Sequence, residues 1–170
     1  MATSEASGFV CATCGLTHAG LPKDWAYQLP DDVWAIPESD RANRATWSDD
    51  FCELDGRLFL RCVLLIPLVD SHDHFCWGVW VEVESPVFAR YREIYDRDGS
   101  GEPLASGILA NKIPCYEVAA GARVFVAFGT AAERPTITLD PNSTSSLARD
   151  QRDGIDSARY HEILAAIEAT

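Results

Sequence analysis

The chain has 170 residues, 47 % apolar and 24 % charged, with 14 basic against 26 acidic side chains and a net charge of −12. That balance excludes a disordered acidic tail, and with no run of Lys or Arg to make a positive patch it argues against nucleic acids and anionic membranes as partners. The longest apolar run, Cys62 to Val69, is interrupted by Pro67 and falls far short of the ~20 residues a membrane-spanning helix needs.

Met1 to Gly8 is small and polar. Cys11-Ala12-Thr13-Cys14-Gly15 follows, and Leu16 to Asp55 then reads as loops with short extended pieces. This stretch carries Trp25, Trp34 and Trp47 among prolines and aspartates, so it is expected to fold back on the core, with one or two helical turns between Arg41 and Trp47. Arg57 to Pro67 alternates strictly. Leu58, Leu60, Cys62, Leu64 and Ile66 share one face, and Phe59, Val63 and Leu65 share the other with Arg61, which predicts an interior strand. Cys76 to Glu84 predicts a second strand with Trp77, Val79, Val81 and Val83 on one face, joined to the first as an antiparallel hairpin. Ser85 to Arg97 predicts a helix with Pro86 at its first turn and Phe88, Tyr91, Ile94 and Tyr95 as its buried stripe. Strands are expected over Leu104 to Leu109, Arg123 to Gly129 and Thr136 to Leu139. A short helical turn is expected over Leu147 to Gln151, and a last helix capped at Asp156 or Ser157 over the residues up to Ala169. The order predicts an α+β domain over residues 1–170: a mostly antiparallel sheet flanked by two main helices, with residues 9–55 forming a loop-rich metal-knuckle region packed on the core.

Cys11-x-x-Cys14-Gly15 is the sharpest chemical signal. A two-residue spacer lets two thiolates face one centre, and the glycine permits the tight turn. A structural zinc is one reading, a redox pair another, and two unrelated thiols a third. Gly15, Gly20 and Pro22 argue against the helix a redox pair needs. For the remaining zinc ligands the order of preference is Cys52, then His18, then Cys62 in reserve. His72-x-His74 with Asp70 and Asp73 offers two imidazoles and carboxylates, or simply a polar hairpin turn. Cys115 with His161 is arithmetically a nucleophile and base, without a supporting signature. Arg149, Arg152 and Arg159 alternate with Asp150, Asp153 and Asp156, and could anchor the acidic front of the chain.

Five stretches together resemble a known family: CATCGLTHAGLP (11–22), DDFCELDGRLFLRCVLLIPL (49–68), WGVWVEV (77–83), RPTITLDP (134–141) and ARDQRDGI (148–155). They resemble the bacterial DUF2199 domain family over most of the chain. The resemblance implies a reduced, cytoplasmic metal site at Cys11 and Cys14 and adds weight to His18 and Cys52, which match the family pattern. Where the family has a turn with LPGYP, this chain reads ASGILANKIPCYE and places Cys115 at the expected glycine. Asn142-Ser143-Thr144 stands where the family tends to carry a histidine-proline pair, and His72 and His74 lie outside the shared pattern. The resemblance implies no particular reaction.

Two functions follow as expectations. The first is an acidic, zinc-stabilised binding or interaction module that attracts a basic protein partner. The second is a metal-dependent hydrolase using His72 and His74 or an open metal position. The N-terminus lacks a basic segment followed by an apolar one, so a cytoplasmic location is expected.

Overall fold

The computed structural model describes residues 9–10, 17–18, 23–117 and 119–169. In chain order the elements are β1 (Phe9–Val10), β2 (Thr17–His18), β3 (Asp24–Ala26), α1 (Asp31–Trp34), α2 (Glu38–Arg44), β4 (Ala45–Trp47) and β5 (Phe51–Leu54). They continue with β6 (Arg57–Pro67), β7 (His74–Val83), α3 (Ser85–Ile94), β8 (Ala105–Leu109), β9 (Arg123–Ala127), β10 (Thr136–Leu139), α4 (Ser146–Asp153) and α5 (Ser157–Glu168). β1 and β2 form their own antiparallel pair.

The class is α+β and the sheet is mostly antiparallel, as the sequence leads one to expect, but five of its strands close into a barrel. β6 pairs with β7, β7 with β8, β8 with β9 and β9 with β10, all antiparallel; β10 then returns parallel to β6 through Thr136 opposite Val63. The physical reason lies in the two long strands. β6 pairs along one edge with β5 up to Leu60 and only then meets β10 at Val63. β7 likewise takes β3, in parallel, along Cys76–Gly78 and β8 at Val81 and Glu82. A strand that changes partner midway can curl, and curling closes a five-membered ring.

Local chemistry explains the connections. Asp55 (φ 49) and Gly56 (φ 83) both sit in the left-handed region, so β5 and β6 are joined by a tight two-residue hairpin. Pro30 and Pro37 each precede a short helix whose first turn is acidic, a favourable start for the helix dipole. Ser145 accepts from the Ala148 amide at 3.2 Å and Asp156 from the Arg159 amide at 2.8 Å, capping α4 and α5. The amide of Gln151 on α4 covers β10: it accepts from Leu139 N at 2.9 Å and donates to Ile137 O at 2.8 Å.

Two apolar clusters result. The barrel interior holds Leu60, Cys62, Leu64, Trp77, Val79 and Val81, and is closed by residues of α3, α4 and α5 such as Tyr91, Leu147 and Ile163. The other cluster lies on the outer face, where Phe59 and Trp80 pack under Leu29, Val33, Ile36 and Leu54. The N-terminal segment thus folds back as expected, but the residues that bury it are aliphatic. Its tryptophans remain at the surface, with Trp25 38 %, Trp34 57 % and Trp47 42 % exposed.

Candidate functional site

Asn111 follows β8 and is completely buried. Its side-chain oxygen accepts from Trp80 N at 2.8 Å, and its amide donates to Leu29 O at 3.0 Å and Asp31 Oδ1 at 2.9 Å. The Asp31 carboxylate also accepts from Lys112 N at 2.6 Å, while its own backbone N–H donates to Ala110 O at 3.0 Å. This clasp ties the start of α1 to the loop after β8. Tyr27 adds a further link, donating from its hydroxyl to Lys112 O at 2.7 Å. Burial, then the nearby Asp31 charge, pushes the Tyr27 phenol far above its ordinary value, so it stays a neutral donor.

A groove of about 920 Å³ runs between the two clasped segments. Trp25 on β3, Tyr27 just after it and Trp34 on α1 line one side; Lys112, Pro114 and Tyr116 line it from the loop. The Tyr116 hydroxyl donates to Asp150 Oδ2 at 2.7 Å, and Arg159 lies 5.0 Å from the centre of its ring while donating to the same carboxylate at 3.0 Å. Arg41 stacks on Trp34, 4.8 Å from the ring centre, and donates to the carbonyls of Val33, Trp34 and Ile36. The arrangement offers rigid aromatic surface in an acid-rich setting.

Cys115, at the rim, carries φ 72, a conformation that costs an L side chain roughly 1–2 kcal/mol. That is the position at which the family resemblance leads one to expect glycine. Its thiol is not an activated nucleophile. It sits 3.5 Å from Glu162 O, and burial pushes its pKa up, the Arg159 charge offsetting only part of this. Cys115→Gly is expected to raise stability by about 1 kcal/mol, seen as a melting temperature higher by about 2–4 °C. A lower melting temperature would mean that the thiol's packing outweighs the backbone strain.

The remaining sequence expectations are placed as follows. Cys11 and Cys14 lie outside the described residues; the backbone of His18 is in β2, opposite Phe9. Cys52 is 1 % exposed in the outer apolar cluster, where burial pushes its thiol up to about 11. Cys62 faces the barrel interior, wholly buried, its thiol pushed up for the same reason, as a small core residue would be. Asp70, His72, Asp73 and His74 are exposed around the β6–β7 turn, with Asp73 paired to Lys23 and Asp70 accepting from Ser157 at 3.0 Å. Among the described residues, no group of three or more His, Cys, Asp or Glu side chains is placed to hold a metal ion. Among the described residues, His72 and His74 are not joined by a third metal-holding group; the polar groups of the turn are exposed or bonded to neighbours. Arg159 pairs with Asp150 and Glu162, and Arg152 with Asp153, so among the described residues these arginines brace the C-terminal helices rather than the acidic front.

A family model described as an uncharacterised protein conserved in bacteria, DUF2199, covers residues 10–155. The chain belongs to the DUF2199 family. The matched span runs from the N-terminal cysteine region through the whole barrel and α4, so the clasp and the groove lie within it. No curated protein and no solved structure gives a significant match. Among the described residues, no helix is long and apolar enough to cross a membrane.

Proposed function

We propose that this DUF2199 protein is an interaction module whose aromatic groove receives a basic segment of a partner protein. The observation that carries the reading is the pair of exposed tryptophans, Trp25 and Trp34, lining a groove whose walls are clasped by buried hydrogen bonds. Cationic side chains stack favourably on indole faces, and Arg41 already does so on Trp34. Residues 23–55 carry nine acidic and three basic side chains, so the field around the groove steers basic partners and repels acidic ones.

The test uses the full chain and two peptides of equal length, one rich in Lys and Arg and one rich in Glu, followed by tryptophan fluorescence. The basic peptide is expected to bind, more weakly as salt rises, and the acidic one not to bind. Trp34→Ala should weaken binding about 5- to 10-fold without moving the unfolding midpoint. Equal binding of both peptides, or an unchanged affinity in Trp34→Ala, would sink the proposal.

Zinc at Cys11 and Cys14 is part of the same reading, supported by the two-residue spacing and the glycine that follows. His18 and Cys52 are the expected partners, and Cys52 would have to give up the proton that burial holds on it. Metal analysis of the purified protein and of Cys14→Ser checks this: one zinc per chain, lost on substitution. The four described cysteines are free thiols, which suits a reducing, cytoplasmic setting.

A further inference from the structure

β3 stands at the end of its sheet and pairs with β7 alone, in parallel. Cys76 N donates to Lys23 O and Tyr27 N to Gly78 O, both at 2.9 Å. A parallel ladder uses alternate residues, so Trp25 turns its own N–H and C=O toward β7. Asp24 and Ala26 turn theirs the other way. Among the described residues nothing bonds to those outward backbone groups, and all three residues of β3 are exposed. Such an edge is a template for a further strand.

The aromatic groove runs along this edge. Trp25 and Ala26 are successive strand residues and so point to opposite faces of the sheet, yet both line the groove. A cavity touched by both lies beside the strand, not over one face of it. Its far wall is the loop bearing Lys112 and Glu117. Its volume, about 920 Å³, lies at the upper end of the ~300–1,000 Å³ range of ligand pockets and exceeds what one side chain needs. The charge around it is acidic: Asp24 on the edge, with Asp31 and Glu117 in the lining, outnumber Lys112. A second copy of a chain with net charge −12 is repelled from such an edge, whereas a basic strand is attracted.

We infer that the basic segment binds as an added β-strand: it lies extended in the groove, bonds to the backbone of Asp24 and Ala26, and carries Lys or Arg at every second position. This rests on the reading of the groove as a site for basic segments, and adds how the segment is held. The backbone bonds supply affinity that tolerates many sequences, and the alternate cations reach the indoles and carboxylates.

The experiment uses the full chain and three short peptides of one sequence, in which Lys or Arg alternates with Val, Ile or Thr. One peptide is unmodified. The second is N-methylated on every charged residue, the third on every intervening residue. An added strand turns the N–H groups of only one set toward β3, so one methylated peptide should bind at least tenfold more weakly than the unmodified one and the other within about threefold. Amide exchange reads the same contact from the protein side: the Asp24 and Ala26 N–H groups should exchange at least tenfold more slowly with the unmodified peptide bound. Ala26→Pro, which removes an outward N–H at an edge where proline is tolerated, should weaken binding by a similar factor. Should that variant fold poorly, the peptide comparison decides by itself. If the unmodified peptide binds but both methylated forms bind as it does, the strand mode is overturned while the groove reading stands. If no basic peptide binds, the groove reading fails and this inference with it. If the parent sediments as a dimer that the peptide splits, the edge belongs to a second copy and the inference is overturned.

Discussion

Asn111→Ala is expected to lower stability by roughly 3–5 kcal/mol, because it strips partners from several buried groups at once. In the native fold one side chain serves Trp80 N, Leu29 O and Asp31 Oδ1. Alanine leaves the Trp80 amide and the Leu29 carbonyl to find other partners in a site with no exposed surface, and each failure costs about 1–3 kcal/mol. For a chain of this size the loss corresponds to a melting temperature lower by roughly 10–15 °C. Asn111→Asp is the informative companion. A carboxylate still accepts from Trp80 N, but it turns a second oxygen on the Leu29 carbonyl and the Asp31 carboxylate, so at neutral pH it should be at least as damaging as alanine. Because the clasp joins α1 to the 112–117 loop, Asn111→Ala should also weaken basic-peptide binding. Urea unfolding and peptide titration of the same variant check both effects. A loss below ~1 kcal/mol would mean that the outer cluster, not the polar clasp, holds the groove together.

What the sequence revealed and what it hid follow from the range of the forces involved. The period-two pattern of Leu60, Cys62, Leu64 and Ile66 is local, and the structure places those side chains inside as read. Barrel closure was not readable, because Val63 meets Thr136 only after four other strands and helices have been placed. The Asp55-Gly56 pair did carry a hairpin signal that marks β5, which the loop reading passed over. The tryptophans misled for a different reason. Large aromatic residues usually bury, yet here Leu29, Val33 and Ile36 already fill the outer cluster, leaving Trp25 and Trp34 at the groove. Asp31 and Asn111 were missed because nothing local distinguishes a clasping Asp or Asn from a turn residue; the one hint was a lone Asn directly after an apolar strand.

Gly107→Ala tests the closure itself and should rank with the clasp in effect. Gly107 lies in β8 with Val124 of β9 opposite it. A Cβ there would come within 2.4 Å of Val81 Cγ1, 2.9 Å of Glu82 O and 3.3 Å of Val83 Cγ1. Two of those atoms are side-chain methyls, and the third is strand backbone that cannot swing aside. A narrow barrel has no spare volume for the methyl, so β7 and β8 must part or the valines must leave their rotamers, at a cost of about 3 kcal/mol. The loss should appear as a lower urea midpoint with an unchanged slope. Val81→Ala in the same chain removes the closest clash. If steric closure is the cause, the double variant should be more stable than the sum of the two single losses predicts. Strictly additive losses would show instead that Gly107 matters through its backbone contact with Glu82 O, which trimming Val81 cannot relieve.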